Sequence, residues 1–338
     1  MKKTIFLLFI LVCSIGISAQ SPTELLVLDN YTIPVGKKGA LIGKIISPNK
    51  EKLSLAKDAS KLFTIDKQGN ISLKKGKELS SQSPISYEIT VKSGKGYKTF
   101  ELVKDNFVHN KVIAHRGAWK KQDVSHNSMN SLKYAIDLGC EGSEIDVWLS
   151  SDDVVILSHD PTIGGKKVEE TTAEELTKIA LKQGDFVPTL QETIEYIKKQ
   201  NKTKLVIEIK GTQKGKPIAD SVVYLVHRMK AQGWVNYIAF GLEHLVRVKE
   251  LDPTAEVAYL GSDKTLEELK TANMTGIDFH YNLFLKDTEL ANKAKTMGLS
   301  TNVWTVNKEE DLNTMLNQNV DYITTDEPEL LFSIIEKK

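Results

Sequence analysis

The rhythm of hydrophobic and polar positions changes once along the chain. From residue 20 to about 105 it is short and strand-like. Ile85, Tyr87, Ile89 and Val91 alternate with Ser86, Glu88 and Thr90, the period-2 pattern of a half-buried strand. Ser93-Gly94-Lys95-Gly96 makes a turn, and Tyr97 to Val103 returns as a second strand. Phe63–Ile65 and Ile71–Leu73 flank Asp66-Lys67-Gln68-Gly69-Asn70, a second hairpin signature. Strands this short and closely spaced predict a small all-β sandwich. Asp105–Asn110 reads as a linker, and from Lys111 onward strand and helix patterns alternate. Strands are expected at 111–115, 143–149, 204–209, 236–240, 256–260, 277–280, 300–305 and 321–325, with 154–158 continuing the second. Helices are expected near 128–139, 189–200, 217–232, 243–251, 264–272, 287–297, 308–318 and 327–336. Eight β/α units in roughly 230 residues predict an α/β fold of the TIM (β/α)8 barrel type, preceded by the sandwich. A doubly wound sheet is the runner-up, but no Gly-rich loop follows the first strand.

These patterns divide the chain into a leader (1–19), a sandwich (20–108) and a barrel (109–338). In the leader, Lys2 and Lys3 precede an apolar run from Ile5 to Ile15, too short to span a bilayer. Ile17-Ser18-Ala19 then supplies small residues before Gln20, as a secretory signal requires. The expected location is therefore periplasmic or secreted. Lipidation at Cys13 ranks second, because Val12 stands where a small residue would be expected. After cleavage Cys140 is the only cysteine, so no internal disulfide is expected. No transmembrane segment is expected in the mature chain. A net charge of +1 with 26% charged residues gives no case for nucleic-acid or membrane binding by bulk charge. A barrel closes its own sheet, so it is expected to fold and act without residues 20–105.

The candidate chemistry lies at predicted strand ends, where a barrel of this kind places its active site. Val112-Ile113-Ala114 runs into His115-Arg116-Gly117, and Val154 to Ser158 runs into His159-Asp160. Glu144 and Asp146 sit at i and i+2 on a strand, on one face and roughly 6.5 Å apart. Two acids on one face of an apolar strand cost several kcal/mol each to bury unless something positive lies between them. A divalent cation with oxygen ligands meets that need. Glu208 and Lys210 repeat the spacing on the third strand. The sixth strand ends in His280, the seventh in Asn302 and Trp304, and the eighth in Thr325-Asp326.

His115-Arg116-Gly117, Glu144-Ile145-Asp146-Val147, His159-Asp160 and Glu208-Ile209-Lys210, in that order and spacing, resemble the glycerophosphodiester phosphodiesterase family. Trp304-Thr305-Val306-Asn307 and Ile323-Thr324-Thr325-Asp326-Glu327-Pro328 extend the resemblance over about 111–333. It implies a TIM barrel in which Glu144, Asp146 and Glu208 bind one divalent cation, Mg²⁺ or Ca²⁺. It implies His115 and His159 as general acid and base, and Arg116 and Lys210 as the phosphate-holding cations. The implied substrate is a small glycerophosphodiester, whose glycerol hydroxyl attacks the phosphorus; a cyclic phosphate forms, an alcohol leaves, and water opens the ring. Asn127, His280, Asn302 and Trp304 complete the candidate substrate contacts. Where the family has Pro-Glu-Asn-Thr, this chain has Ser125-His126-Asn127-Ser128, so an acid becomes His126. The segment between Thr162 and Val187 is also short, which predicts a more open pocket.

Leu62-Phe63-Thr64-Ile65-Asp66 with Gly69-Asn70-Ile71 resembles the middle of a cadherin-like repeat without the acidic motifs that bind calcium, and the sandwich's partner is unknown. Two alternatives stand beside the main reading. One is a lipid-directed phosphodiesterase of the phospholipase D or sphingomyelinase D type, which an apolar rim would favour. The other is a binding or adhesion protein with an inactive barrel.

Overall fold

The computed structural model describes residues 26–47, 51–211 and 218–337. The expected leader lies outside them. The N-terminal unit consists of two four-stranded sheets. One orders Val27–Leu28, Leu41–Ile46, Asn70–Leu73 and Phe63–Ile65; the other orders Thr32–Ile33, Gly96–Lys104, Ser86–Ser93 and Leu53–Asp58. The long hairpin pairs Ile89 with Phe100 and Tyr87 with Leu102. Its inward face buries Ile89, Val91, Phe100 and Leu102 against Phe63 and Ile71. The strict alternation seen in the sequence is thus the inside and outside of one sheet.

The second unit is a closed parallel barrel. Its strands are β1 (Val112–Ala114), β2 (Gly142–Leu149), β3 (Lys204–Ile209), β4 (Val235–Ala239), β5 (Val257–Tyr259), β6 (Gly276–His280), β7 (Ser300–Trp304) and β8 (Tyr322–Thr325). They pair in chain order, and β1 joins both β8 and β2, closing the ring. Alternate residues point outward to the helices: Ile145, Val147, Ile207, Ile209, Ile277 and Phe279 share one core with Leu132, Leu190 and Ile194. The opposite phase fills the interior, where Ile113, Val206, Ile238 and Leu260 make a separate cluster. Parallel register sets Glu144 beside Val206 and Asp146 beside Glu208. The inward carboxylates therefore gather at one end of the barrel, above the apolar plug.

Helix starts are written in the sequence. Ser128, Thr189 and Thr265 each cap a helix through the backbone N–H three residues on, and Ser131, Glu192 and Glu268 reciprocate, the capping box. Two elements differ from expectation. The helix expected at 287–297 is Leu290–Thr296, and a short helix that was not expected, Tyr281–Lys286, precedes it. Val155–Leu157 does not prolong β2 but folds back antiparallel to it, pairing Leu157 with Val147. This hairpin carries His159 back over the mouth.

The sandwich packs on the loops that precede β3 and β4, the end of the barrel away from the carboxylates. Val103 and Phe107 join the barrel core. Glu101 pairs with Lys198 at 2.7 Å, and Asn201 Nδ2 donates to the Lys104 carbonyl at 2.6 Å. Gly233 approaches so closely that a Cβ there would lie 2.8 Å from Val103 Cγ1. The units share packing, so independence of the barrel carries a cost. Deleting residues 20–105 exposes the surface under Val103, worth about 1.5–3 kcal/mol. The truncated chain is expected to keep its far-UV circular dichroism but melt about 5–10 °C lower. An unchanged melting temperature would show that the interface contributes nothing.

Candidate active site

The mouth of the barrel is built around three buried acids. Single ligand atoms of Glu144, Asp146 and Glu208 all lie within 4.8 Å of one another. Glu144 Oε2 accepts the Arg116 backbone N–H at 2.8 Å, while its Oε1 is buried without a hydrogen-bond partner. Burial, then Asp146 and Glu208, push the Glu144 carboxyl well above the usual range. Burial and Asp146 raise Glu208 to about 7. Asp146 goes the other way. Burial would raise it, but Lys210, Asn127 and Arg116 more than offset this and hold it low. The cluster is short of positive charge, and Glu144 presents an unused oxygen to it. A hard cation with oxygen ligands satisfies both deficits, so the residues fit a metal ion.

Two cations already face the acids. Lys210 Nζ lies 2.8 Å from Asp146 Oδ1 and 2.5 Å from Glu208 Oε1. Arg116 Nε lies 3.3 Å from Asp146 Oδ2, a charge contact without hydrogen-bond geometry. Arg116 and Asn127 both adopt left-handed backbone, with φ of 57° and 51°. The strained turn is pinned by the Asn127 N–H on the Arg116 carbonyl at 3.0 Å.

Asn127 is tied to Asp146 at both ends of its amide. Its Nδ2 donates to Asp146 Oδ2 at 2.7 Å and its Oδ1 accepts the Asp146 N–H at 3.0 Å. Both ends of the amide are occupied and the residue is buried. It positions Asp146.

Each candidate histidine is backed by a carboxylate. His115 Nδ1 meets Asp326 Oδ1 at 2.8 Å, and His159 Nδ1 meets Asp160 Oδ1 at 2.8 Å. In both rings Nε2 is left for chemistry, and the carboxylate stabilises the imidazolium that forms when it takes a proton. Asp326 is itself held: Asn307 Nδ2 donates to its Oδ2 at 2.7 Å and Trp119 Nε1 to its Oδ1 at 3.3 Å. Burial raises this carboxyl, but the bonds from His115, Asn307 and Trp119 hold it below the usual range. Asp326→Asn is expected to lower kcat about 10²-fold or more with little change in KM, because the ring loses its orientation and its counter-charge. A loss carried by KM alone would make Asp326 a substrate contact instead.

His126, which replaces an expected acid, belongs to this constellation. Burial, then Arg116, keep it below the ordinary histidine range, and His159 and His115 add to that. Its ring stands edge-on to Trp119 at 5.9 Å. With His159, Ser125 and Trp119 it lines a cleft of about 380 Å³ beside the acids. Lys182 N–H donates to Ser125 Oγ at 3.0 Å, so the short 162–187 segment still borders this cleft.

The remaining candidates separate. Trp304 and His280 form one wall of the mouth, ring centroids 5.1 Å apart, and Tyr281 stacks on His280 at 4.7 Å. Phe240, 50% exposed at the end of β4, meets Trp304 edge-on at 5.5 Å. The sequence offered no apolar rim beyond Trp304; Phe240 adds to it. Asn302 does not reach the mouth. It lies one layer lower, buried, with Nδ2 donating to Thr324 Oγ1 at 2.9 Å.

Paired acids, two carboxylate-backed histidines and two cations at the C-terminal mouth of a closed parallel barrel define a hydrolase of phosphoric diesters. The chain belongs to the glycerophosphoryl diester phosphodiesterase family, whose sequence profile matches residues 115–330. It is 32% identical over 241 residues to a glycerophosphodiester phosphodiesterase of Caldanaerobacter subterraneus subsp. tengcongensis, covering 67% of this chain and 98% of that protein. A crystal structure of a glycerophosphodiester phosphodiesterase from Parabacteroides distasonis matches 69% of this chain and 99% of its own at 34% identity and TM-score 0.65. A phosphodiesterase from Oleispira antarctica, solved with the product sn-glycerol-3-phosphate, matches 67% and 96% at 26% identity and TM-score 0.60. The family match begins at His115, so the sandwich lies outside it.

Proposed function

We propose that this protein is an exported, metal-dependent enzyme that hydrolyses soluble glycerophosphodiesters to glycerol phosphate and an alcohol. The observation that carries the reading is the buried tri-carboxylate cluster, its Glu144 Oε1 unsatisfied, beside two histidines whose Nδ1 atoms are held by Asp326 and Asp160. Bound by Glu144, Asp146 and Glu208, Mg²⁺ or Ca²⁺ would supply Lewis-acid neutralisation of phosphoryl charge. Arg116 and Lys210 are close enough to the acids to share that task. One histidine takes the proton of the glycerol hydroxyl as that oxygen bonds to phosphorus. The other gives a proton to the departing alcohol oxygen as its bond breaks. The roles then reverse as water opens the cyclic phosphate, which leaves both rings as they began. Export rests on the basic and apolar leader of residues 1–19.

The internal nucleophile makes a sharp test. Bis(p-nitrophenyl) phosphate has the better leaving group but no adjacent hydroxyl, so it is expected to turn over more slowly than glycerophosphocholine under the same metal conditions. Faster hydrolysis of the hydroxyl-free diester would sink the cyclic route. Phe240 beside Trp304 gives the lipid-directed alternative its one support. A lysophospholipid in the same panel tests it, and a marked preference for that substrate would replace the present reading.

A further inference from the structure

The barrel holds a second cavity, at the end away from the catalytic acids. It measures about 170 Å³ and lies among the first residues of the strands, from Gly142 of β2 round to Tyr322 of β8. Ile113, Val206, Ile238 and Ala258 give it apolar walls, and Phe107 and Tyr322 add aromatic rings. Phe107 comes from the segment that joins the sandwich to the barrel, so the junction of the two units forms part of the wall.

One group in this lining is only partly satisfied. Asp278 is 1% exposed, and its Oδ1 has no hydrogen-bond partner. Burial pushes the carboxyl up to about 8; Asn302 bonds to it and lowers it, while the charge that bears on it, Glu208, is of the same sign. Among the described residues no basic side chain offsets it. An aliphatic residue of this size would be more stable here, since a buried carboxyl without a full set of partners costs several kcal/mol when ionised. The catalytic groups do not need it either, because the ligand atoms of the metal cluster are supplied by Glu144, Asp146 and Glu208.

We propose that this cavity binds a small organic cation, a primary or quaternary ammonium, with its charge against Asp278. Each rival occupant fails on a named feature. An inorganic divalent cation takes about six to eight oxygens, whereas much of this lining is hydrocarbon. An anion would face Asp278, Glu141 and Glu256, while the Lys204 ammonium is drawn over the Phe107 ring at 5.2 Å. A neutral apolar guest would leave Asp278 Oδ1 without a partner. An ammonium with alkyl substituents pairs with the acid, packs on the aliphatic walls and gains from the aromatic rings. The volume suits such a group: an engineered cavity of about 150 Å³ accepts a benzene. The site is separate from the catalytic mouth, so the inference stands or falls independently of the proposed reaction.

Calorimetric titration of the full chain with choline, ethanolamine and the neutral choline isostere 3,3-dimethylbutan-1-ol tests it. Saturating glycerol phosphate is included to fill the catalytic mouth. Choline is expected to bind under these conditions, and the isostere about tenfold or more weakly. Asp278→Asn, which keeps the shape and removes the charge, is expected to weaken choline by about tenfold or more. Ala258→Leu, which narrows the cavity from a different strand, is expected to do the same, so the result does not depend on one variant folding. Three outcomes would overturn the proposal: no ammonium binding, equal binding of the isostere, or undiminished choline binding in folded Asp278→Asn. Displacement of choline by glycerol phosphate would assign it to the mouth and equally overturn it.

Discussion

Glu208→Gln is expected to lower turnover about 10³-fold or more and, in excess chelator, to raise the melting temperature. The two effects come from one cause. Glu144 and Glu208 are buried beside Asp146, and their carboxyls sit above the ordinary range, Glu208 at about 7 against an ordinary 4.5. A carboxyl raised in the folded state holds its proton more tightly there than in the unfolded chain. Its contribution is therefore most favourable below the unfolded value and is lost as pH rises from about 4.5 to about 7 for Glu208. The metal-free enzyme should accordingly melt lower at pH 8 than at pH 5, and added Mg²⁺ or Ca²⁺ should restore more stability at pH 8. Glutamine removes a negative charge from the cluster while its carbonyl can still accept from Lys210. Each kcal/mol so relieved raises the melting temperature by about 2–4 °C. Full turnover in chelator would remove the metal from the mechanism. A melting temperature indifferent to pH and to the glutamine would show that these acids do not repel each other.

The parts of this site that could be read from the sequence are those that one strand carries by itself. Glu144 and Asp146, or Glu208 and Lys210, share a face because their spacing matches the pleat, whatever the rest of the chain does. The barrel followed from the same periodicity, and β2 and β3 fall within a residue of their expected bounds. What was not legible depends on closure. Asp326 reaches His115 across 211 residues of sequence, and does so because β8 pairs with β1, Thr325 beside Ala114. Asn127 stood among the candidate substrate contacts, but its bond to Asp146 could not be read because that partner lies on a neighbouring element. Asn302 and Trp304 share a face of β7, but the strand's rise puts only Trp304 at the mouth. The helix Tyr281–Lys286 was hidden behind an aromatic run that reads as a strand end; His280 caps it by accepting the Asn282 N–H at 3.2 Å. The shared packing of Val103 and Phe107 was invisible for a related reason. An apolar residue at the end of one strand does not say which core it enters.

His115→Ala and His159→Ala should each cost about 10²–10⁴ in turnover of glycerophosphocholine, the usual worth of general acid–base catalysis. The carboxylates behind the rings make the expectation specific. Asp326 and Asp160 engage Nδ1 of their histidines, so each ring has one nitrogen left to exchange a proton with substrate. His159 is held below the ordinary histidine range by burial, with Lys210 and Arg116 adding to the effect against Asp146 and Asp160. A change of leaving group separates the ring that protonates the departing alcohol from the ring that takes the hydroxyl proton. A p-nitrophenyl ester of glycerol phosphate keeps the internal hydroxyl, and its leaving group departs without a proton. In a single turnover, p-nitrophenol release by the variant that lacks the acid should therefore recover to within about tenfold of wild type on this ester, while release by the variant that lacks the base should stay slow. Recovery of one variant and not the other assigns both roles in a single comparison. Near wild-type turnover of either variant on glycerophosphocholine itself would exclude that histidine from the chemistry.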